Sequence, residues 1–92
     1  MYLEIVSPEA VLFSGEVDVV TVPGINGEFQ MLNNHAPIVS LLQEGTVKIS
    51  GTIEIEEDHQ DKFKKGDDNG SWLSINSGTI ELKENEIIIL AD

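Results

Sequence analysis

Apolar and polar residues alternate along this chain in short bursts, and nearly every burst ends at Gly, Pro, Asn or Asp. A period of two punctuated by turn formers is how half-buried strands joined by tight turns look in sequence. The pattern predicts about ten strands. The first two thirds offer Leu3–Val6, Ala10–Phe13, Val17–Val22, Glu28–Leu32, Val39–Leu42, Thr46–Ser50 and Thr52–Glu56, with turns at Ser14-Gly15, Pro23-Gly24, Glu44-Gly45 and Gly51. The last third offers Trp72–Ile75, Thr79–Leu82 and Glu86–Leu90. Between them, Asp58 to Gly70 is dense in charge, with Phe63 as its only large apolar residue, and reads as a long mobile loop whose Asn69-Gly70 pair suits a hairpin turn. No window shows a helical period, and Val39–Leu42, the stretch nearest to one, is bounded by Pro37 and Gly45.

Strands with one apolar face must bury it against another sheet. The expectation is therefore all-β: a flattened β-sandwich or barrel of about ten short strands forming a single domain over 1–92, with the charged loop 58–70 inside it. Where alternation is clear, and by strand-end placement where both faces are apolar, the inward positions are expected to include Leu3, Ile5, Leu12, Val20, Val22, Leu32, Leu41, Val47, Ile49, Ile75, Ile80, Ile88 and Leu90.

Composition agrees. Ile and Val number 19 against 3 Ala, a ratio that suits pleated surfaces better than helices. At 92 residues one core fits and two do not. Charge narrows the partners: 17 Asp and Glu against 5 Lys give a net charge of -12. That balance speaks against nucleic acid, whose binding depends on cationic side chains, and against anionic lipid, which needs a polybasic patch. The chain has no Cys, which removes disulfides, thiolate nucleophiles and Cys-ligated zinc. Its longest apolar run, Ile87 to Ala91, is far short of a bilayer span, and its start, Met1-Tyr2-Leu3-Glu4, has no basic region followed by an apolar one. A soluble, unexported protein with no direct membrane insertion is expected.

Candidate chemistry is sparse. Gly24-Ile25-Asn26-Gly27 lacks the Lys-Ser/Thr pair and the following helix of a phosphate loop, and reads as a turn between strands. Asp58, Asp61, Asp67, Asp68 and Asn69 do not follow the ligand spacing of a calcium loop. His35 and His59 are the only imidazoles, and no local spacing brings Ser or Thr to either with an orienting third group. His59 reads as a solvated side chain, and His35 lies in a short polar link between two strands. Glu54, Glu56 and Glu57 close a strand with like charges on both faces, as at an exposed, protected edge. No catalytic residue, cofactor or metal is expected.

Several pieces are familiar in combination. Leu3-Glu4-Ile5-Val6-Ser7-Pro8-Glu9 is followed by Leu12-Phe13-Ser14-Gly15-Glu16-Val17, Val22-Pro23-Gly24, Gly27-Glu28-Phe29, Asn34-His35-Ala36-Pro37 and the closing Leu90-Ala91-Asp92. In this order and spacing, residues 3–49 and 75–92 resemble the N-terminal β-sandwich domain of the epsilon subunit of bacterial F-type ATP synthases. Departures are local: Phe29-Gln30 stands where Leu-Gly is usual, Asn33-Asn34 where Pro-Gly is common and Asn76-Ser77-Gly78 where Ser-Gly-Gly is usual, while 51–70 has no counterpart. The sequence ends at Asp92, where family members continue into a helical hairpin that can inhibit hydrolysis and in some cases bind ATP. A naturally short subunit that does neither is the expectation.

The resemblance implies a non-catalytic central-stalk component that links the gamma subunit to the c-ring, so that proton-driven rotation reaches the catalytic head. It implies a peripheral place on the cytoplasmic face of the bacterial inner membrane. It further implies a c-ring-facing set of Gly24, Ile25, Asn26, Gly27, Glu28 and His35, and a gamma-facing set of Ser7, His35, Ser40 and Asn76. The ring's polar loops in this family usually carry Arg, a complement to an acidic subunit. Two other readings stay open from the residues alone: a free-standing acidic β-sandwich that binds protein, and a small hydrolase built on His35.

Overall fold

The structure, a computed structural model, describes residues 1–66 and 70–92. It contains β1 (Tyr2–Val6), β2 (Val11–Glu16), β3 (Val19–Gly24), β4 (Gly27–Leu32), β5 (Ile38–Leu42) and β6 (Gly45–Ser50). A 3-10 turn (Glu57–Lys62) then leads into β7 (Phe63–Lys65), β8 (Ser71–Ile75), β9 (Gly78–Lys83) and β10 (Glu86–Ala91). The strands form one curled sheet in the order β2-β1-β10-β9-β5-β3-β6-β8-β7, with β4 also on β3. β5 and β3 share a single pairing, Gly24 with Leu42. That narrow join divides the sheet into two halves of five strands, β2-β1-β10-β9-β5 and β4-β3-β6-β8-β7. Their apolar faces contribute to one core, with Leu3, Ile5, Ile80, Leu82, Ile87 and Ile89 from the first half and Val20, Val22, Met31, Val47, Ile49 and Leu73 from the second. The expected all-β sandwich is what the chain forms. β1 and β10 pair in parallel, and the other pairs are antiparallel.

Nine of the thirteen expected inward positions are buried, and the other four locate the error. Leu32, Leu41, Ile88 and Leu90 are exposed, while Met31, Leu42, Ile87 and Ile89 are buried in their place. In each case the strand is apolar on both faces near the disputed position, so alternation alone does not set its parity. Pairing sets it. Ile87 lies opposite Leu3 and Leu82, and Ile89 opposite Ile5 and Ile80, and directly opposed residues share a face.

Two boundaries also differ. Ser14-Gly15 is not a turn, because β2 runs on to Glu16 with Gly15 opposite Leu3. A Cβ on Gly15 would sit 3.2 Å from the Phe13 ring, so the glycine leaves room for that ring. Pro23-Gly24 likewise stays within β3, and the reversal falls on Ile25-Asn26. A register shift after Ile5 pairs Val6 with Val11 and inserts Leu12 as an extra residue. That bulge is why Leu12 and Phe13 are both buried although adjacent in sequence.

The segment after β6 departs most from expectation. Thr52–Glu56 is no strand, so its glutamates do not guard a strand edge. β6 already has β3 and β8 as neighbours, so the chain leaving it cannot fold back onto β6 as a further strand. Ile53 and Ile55 pack against the core instead. Where the expected loop 58–70 is described it is not plain loop: the 3-10 turn (Glu57–Lys62) overlaps its start, β7 follows, and Phe63 packs against the core. Lys62, Lys64 and Lys65 line this stretch, and β7 is an edge strand, where lysines discourage pairing with another chain. The Asn69 part of the expected Asn69-Gly70 turn lies outside the described residues, as do Asp67 and Asp68.

Candidate functional site

Gly24 pairs with Gly27 around the exposed Ile25-Asn26 tip, and Gly27 has φ of 122°, a conformation that favours glycine. A Cβ on Gly24 would sit 2.7 Å from the Phe29 ring, so the base of this β3–β4 hairpin closes only around glycine. Backbone bonds tie the hairpin to the end of β5, from Ile25 N to Leu41 O at 3.3 Å and from Gln43 N to Pro23 O at 2.9 Å.

The hairpin tip opens onto a groove of about 670 Å³ whose walls include Val6, Ser7, Pro8, Ile25, Leu41, Leu90 and Asp92. Register explains its apolar character. Leu41 lies opposite Thr79, Thr79 opposite Leu90, and Leu90 opposite Val6, so one outward row crosses β5, β9, β10 and β1. A second row runs Val39, Glu81, Ile88, Glu4. Val39, Leu41, Leu90 and Ile25 are 75, 57, 52 and 51% exposed. Leu90 and Val6 are adjacent in register, and Leu41 is separated from Leu90 by Thr79 alone, so these outward apolar side chains are grouped rather than scattered singly. Sequence reading missed this row because it turned Leu41 and Leu90 inward.

The expected site residues do not fall into two clean groups. Ser7 and Ile25, assigned to different partners, line the same groove. Asn76 is exposed beside Ser77, another groove residue whose hydroxyl donates to the Asp92 carboxylate. The Ser7 hydroxyl is occupied in its own turn, donating to Ala10 O at 3.2 Å and accepting from Ala10 N at 3.3 Å. Ser40 lies opposite the buried Ile80 and so shares the inward side of β5, donating to Leu41 O at 3.1 Å. Its neighbours Val39 and Leu41 face outward.

His35 is at the other end of the molecule. β4 runs from the hairpin to Leu32, five residue steps or about 17 Å, before the chain reaches it. There the Asn33–His35 link is fastened by a residue that the sequence did not single out. Glu84 and Asn85, with φ of 51° and 64°, form the two-residue turn between β9 and β10. Asn85 Oδ1 accepts from Asn34 N, and its Nδ2 donates to Asn33 Oδ1, both at 2.8 Å. His35 is exposed, and its Nδ1 donates to the carbonyl of Ala36 at 2.7 Å. Among the described residues no hydroxyl is hydrogen-bonded to the His35 ring.

Glu28, just past the hairpin, is held rather than free. Lys48 Nζ lies 3.2 Å from Glu28 Oε2 across β3 and 4.9 Å from the centre of the Trp72 ring. Among the described residues, no group of three or more His, Asp or Glu side chains is placed to hold a metal ion. Among the described residues no helix is long and apolar enough to cross a membrane.

The surface features described so far are an outward row rich in apolar residues and, beside it, a glycine hairpin on a two-layer β-sandwich. Residues 1–92 match the model of the ATP synthase delta/epsilon chain β-sandwich domain, and the chain belongs to that family. It is 38% identical over all its 92 residues to the ATP synthase epsilon chain of Campylobacter concisus, and 37% identical over 90 residues to that of Desulforamulus reducens. It spans 60% and 57% of the length of those two relatives. Its fold is similar to that of a chain in the central stalk and c-ring structure of the Tetrahymena thermophila mitochondrial ATP synthase, with a TM-score of 0.74 at 13% identity, over 98% of this chain and 61% of that one.

Proposed function

We propose that this chain is a non-catalytic rotor component of an F-type ATP synthase, which fastens the gamma subunit to the c-ring and so passes rotation of the ring to the catalytic head. The observation that carries this reading is the outward row Leu41, Thr79, Leu90 and Val6, continuous with Ile25 at the hairpin tip. A part that transmits torque needs a stiff body and a surface that loses water on docking. A single core beneath short, tightly turned strands supplies the body, and the row supplies the surface.

In this reading the row and Ser7 and Asn76 beside it receive gamma, while Gly24 to Glu28 form a protruding hairpin suited to the polar loops of the ring. His35, about one strand length away, belongs to a separate contact at the other end. The complex sits peripherally on the cytoplasmic face of the bacterial inner membrane. Co-expression with the gamma subunit of the same complex tests this. The chain is expected to retain gamma through affinity capture and gel filtration, and elution of the chain alone would instead favour a free-standing binding module.

A further inference from the structure

Lys48 is one of five lysines in a chain with 17 acidic residues and no arginine, so its position carries unusual weight for the surface around it. It is held from two sides. Lys48 lies opposite Trp72 of β8 and opposite Thr21 of β3, on the outward face of the second half-sheet. Its ammonium stands 4.9 Å from the centre of the Trp72 ring, within the range of a cation–π contact. On the other side it reaches diagonally over β3 to Glu28, one residue past the hairpin tip's closing glycine. The Glu28 side chain remains 53% exposed and that of Lys48 32%, so the carboxylate is both neutralised and open to a second cation.

We infer that Trp72 and Lys48 form a positioning pair that neutralises Glu28 in the free chain, and that a cationic group on the loop docking at the β3–β4 hairpin displaces Lys48 from it. The partner chemistry follows from charge: a surface with net charge -12 meets a basic loop most readily. The exchange is easy because an exposed ion pair is weak and Lys48 does not have to give up its cation–π contact when the pair breaks. Lys48 thereby lowers the affinity of the hairpin for a basic partner while holding the Glu28 carboxylate in place. This inference rests on the hairpin being a docking element, as proposed above.

Trp72 is the only tryptophan, so the pair can be followed without ambiguity. In the free chain, carbon–proton correlation spectra are expected to show the Lys48 side-chain methylene protons shifted upfield by the indole ring, and Trp72→Leu should abolish that shift. Binding is then measured to the assembled rotor of gamma on the c-ring. Lys48→Gln is expected to bind about two- to fivefold more tightly at low salt and Glu28→Gln more weakly by a similar factor, with the double variant matching Glu28→Gln. Absence of the upfield shift in the wild-type chain would overturn the pair itself. If Glu28→Gln weakens binding while Lys48→Gln leaves it unchanged or weakens it too, Lys48 does not compete for the carboxylate. If the shift is present but all three variants bind as wild type, the hairpin is not the docking element, and this inference fails with that reading.

Discussion

Ile89 and Leu90 are adjacent on β10, yet one is fully buried and the other half exposed. Ile89→Ala opens a hole between the half-sheets and is expected to cost about 2 to 5 kcal/mol by denaturant unfolding. Leu90→Ser changes only a surface position and should stay within about 0.5 kcal/mol of wild type. Equal costs at the two sites would mean that the parity of β10 is wrong. Gly78 gives a second contrast, because a Cβ there would collide with the backbone carbonyl of Leu90 across the β9–β10 ladder. Gly78→Ala is expected to destabilise by about 1 to 3 kcal/mol, measured in the same way. The buried side was legible wherever polar residues broke the pattern, as at Leu3, Glu4 and Ile5. It was not legible in Ile87-Ile88-Ile89-Leu90. A usable signal lay in the Glu84-Asn85 turn, whose two-residue length fixes Leu82 opposite Ile87.

Turns and connections carry the rest of the shape. The Asn85 side chain joins the β9–β10 turn to the Asn33–His35 link, a tie between residues about fifty positions apart that no local spacing reveals. Asn85→Gly keeps the positive φ that the turn requires but removes both bonds. Amide hydrogen exchange at Asn34 should then quicken, while the Ile87 and Ile89 amides keep their protection. Unchanged exchange at Asn34 would show that the link holds without the clasp. The segment from Gly51 to Lys65 was the least legible. Its alternation read as a strand, but a strand needs a neighbour with a free edge, and β6 offers none. The charge around Phe63 read as a loop because three residues are too few to show a period, although the ring packs on the core. Phe63→Ala is expected to cost about 1 to 2 kcal/mol, which a dispensable loop would not.

The molecule as a whole presents an acidic body, an outward row rich in apolar residues and a glycine hairpin. Some of the motifs that carry the resemblance lie inside β1 and β2, and others fall at the β3–β4 hairpin and in the Asn33–His35 link, where local residue type is informative, so they were readable in sequence. The row was not, because it exists only after β5, β9, β10 and β1 are set side by side. The groove at its end gathers Ser7 and Ile25, and His35 stays apart from both. The central claim, that this row is where gamma docks, is tested most directly by the affinity of gamma for a Leu41→Asp, Leu90→Asp double variant. Both substitutions are on the surface, so circular dichroism and unfolding midpoint should remain close to wild type. The account predicts that binding to gamma falls by at least about tenfold, because two carboxylates would have to lose water in the contact. A folded double variant that holds gamma as tightly as the wild-type chain would contradict it.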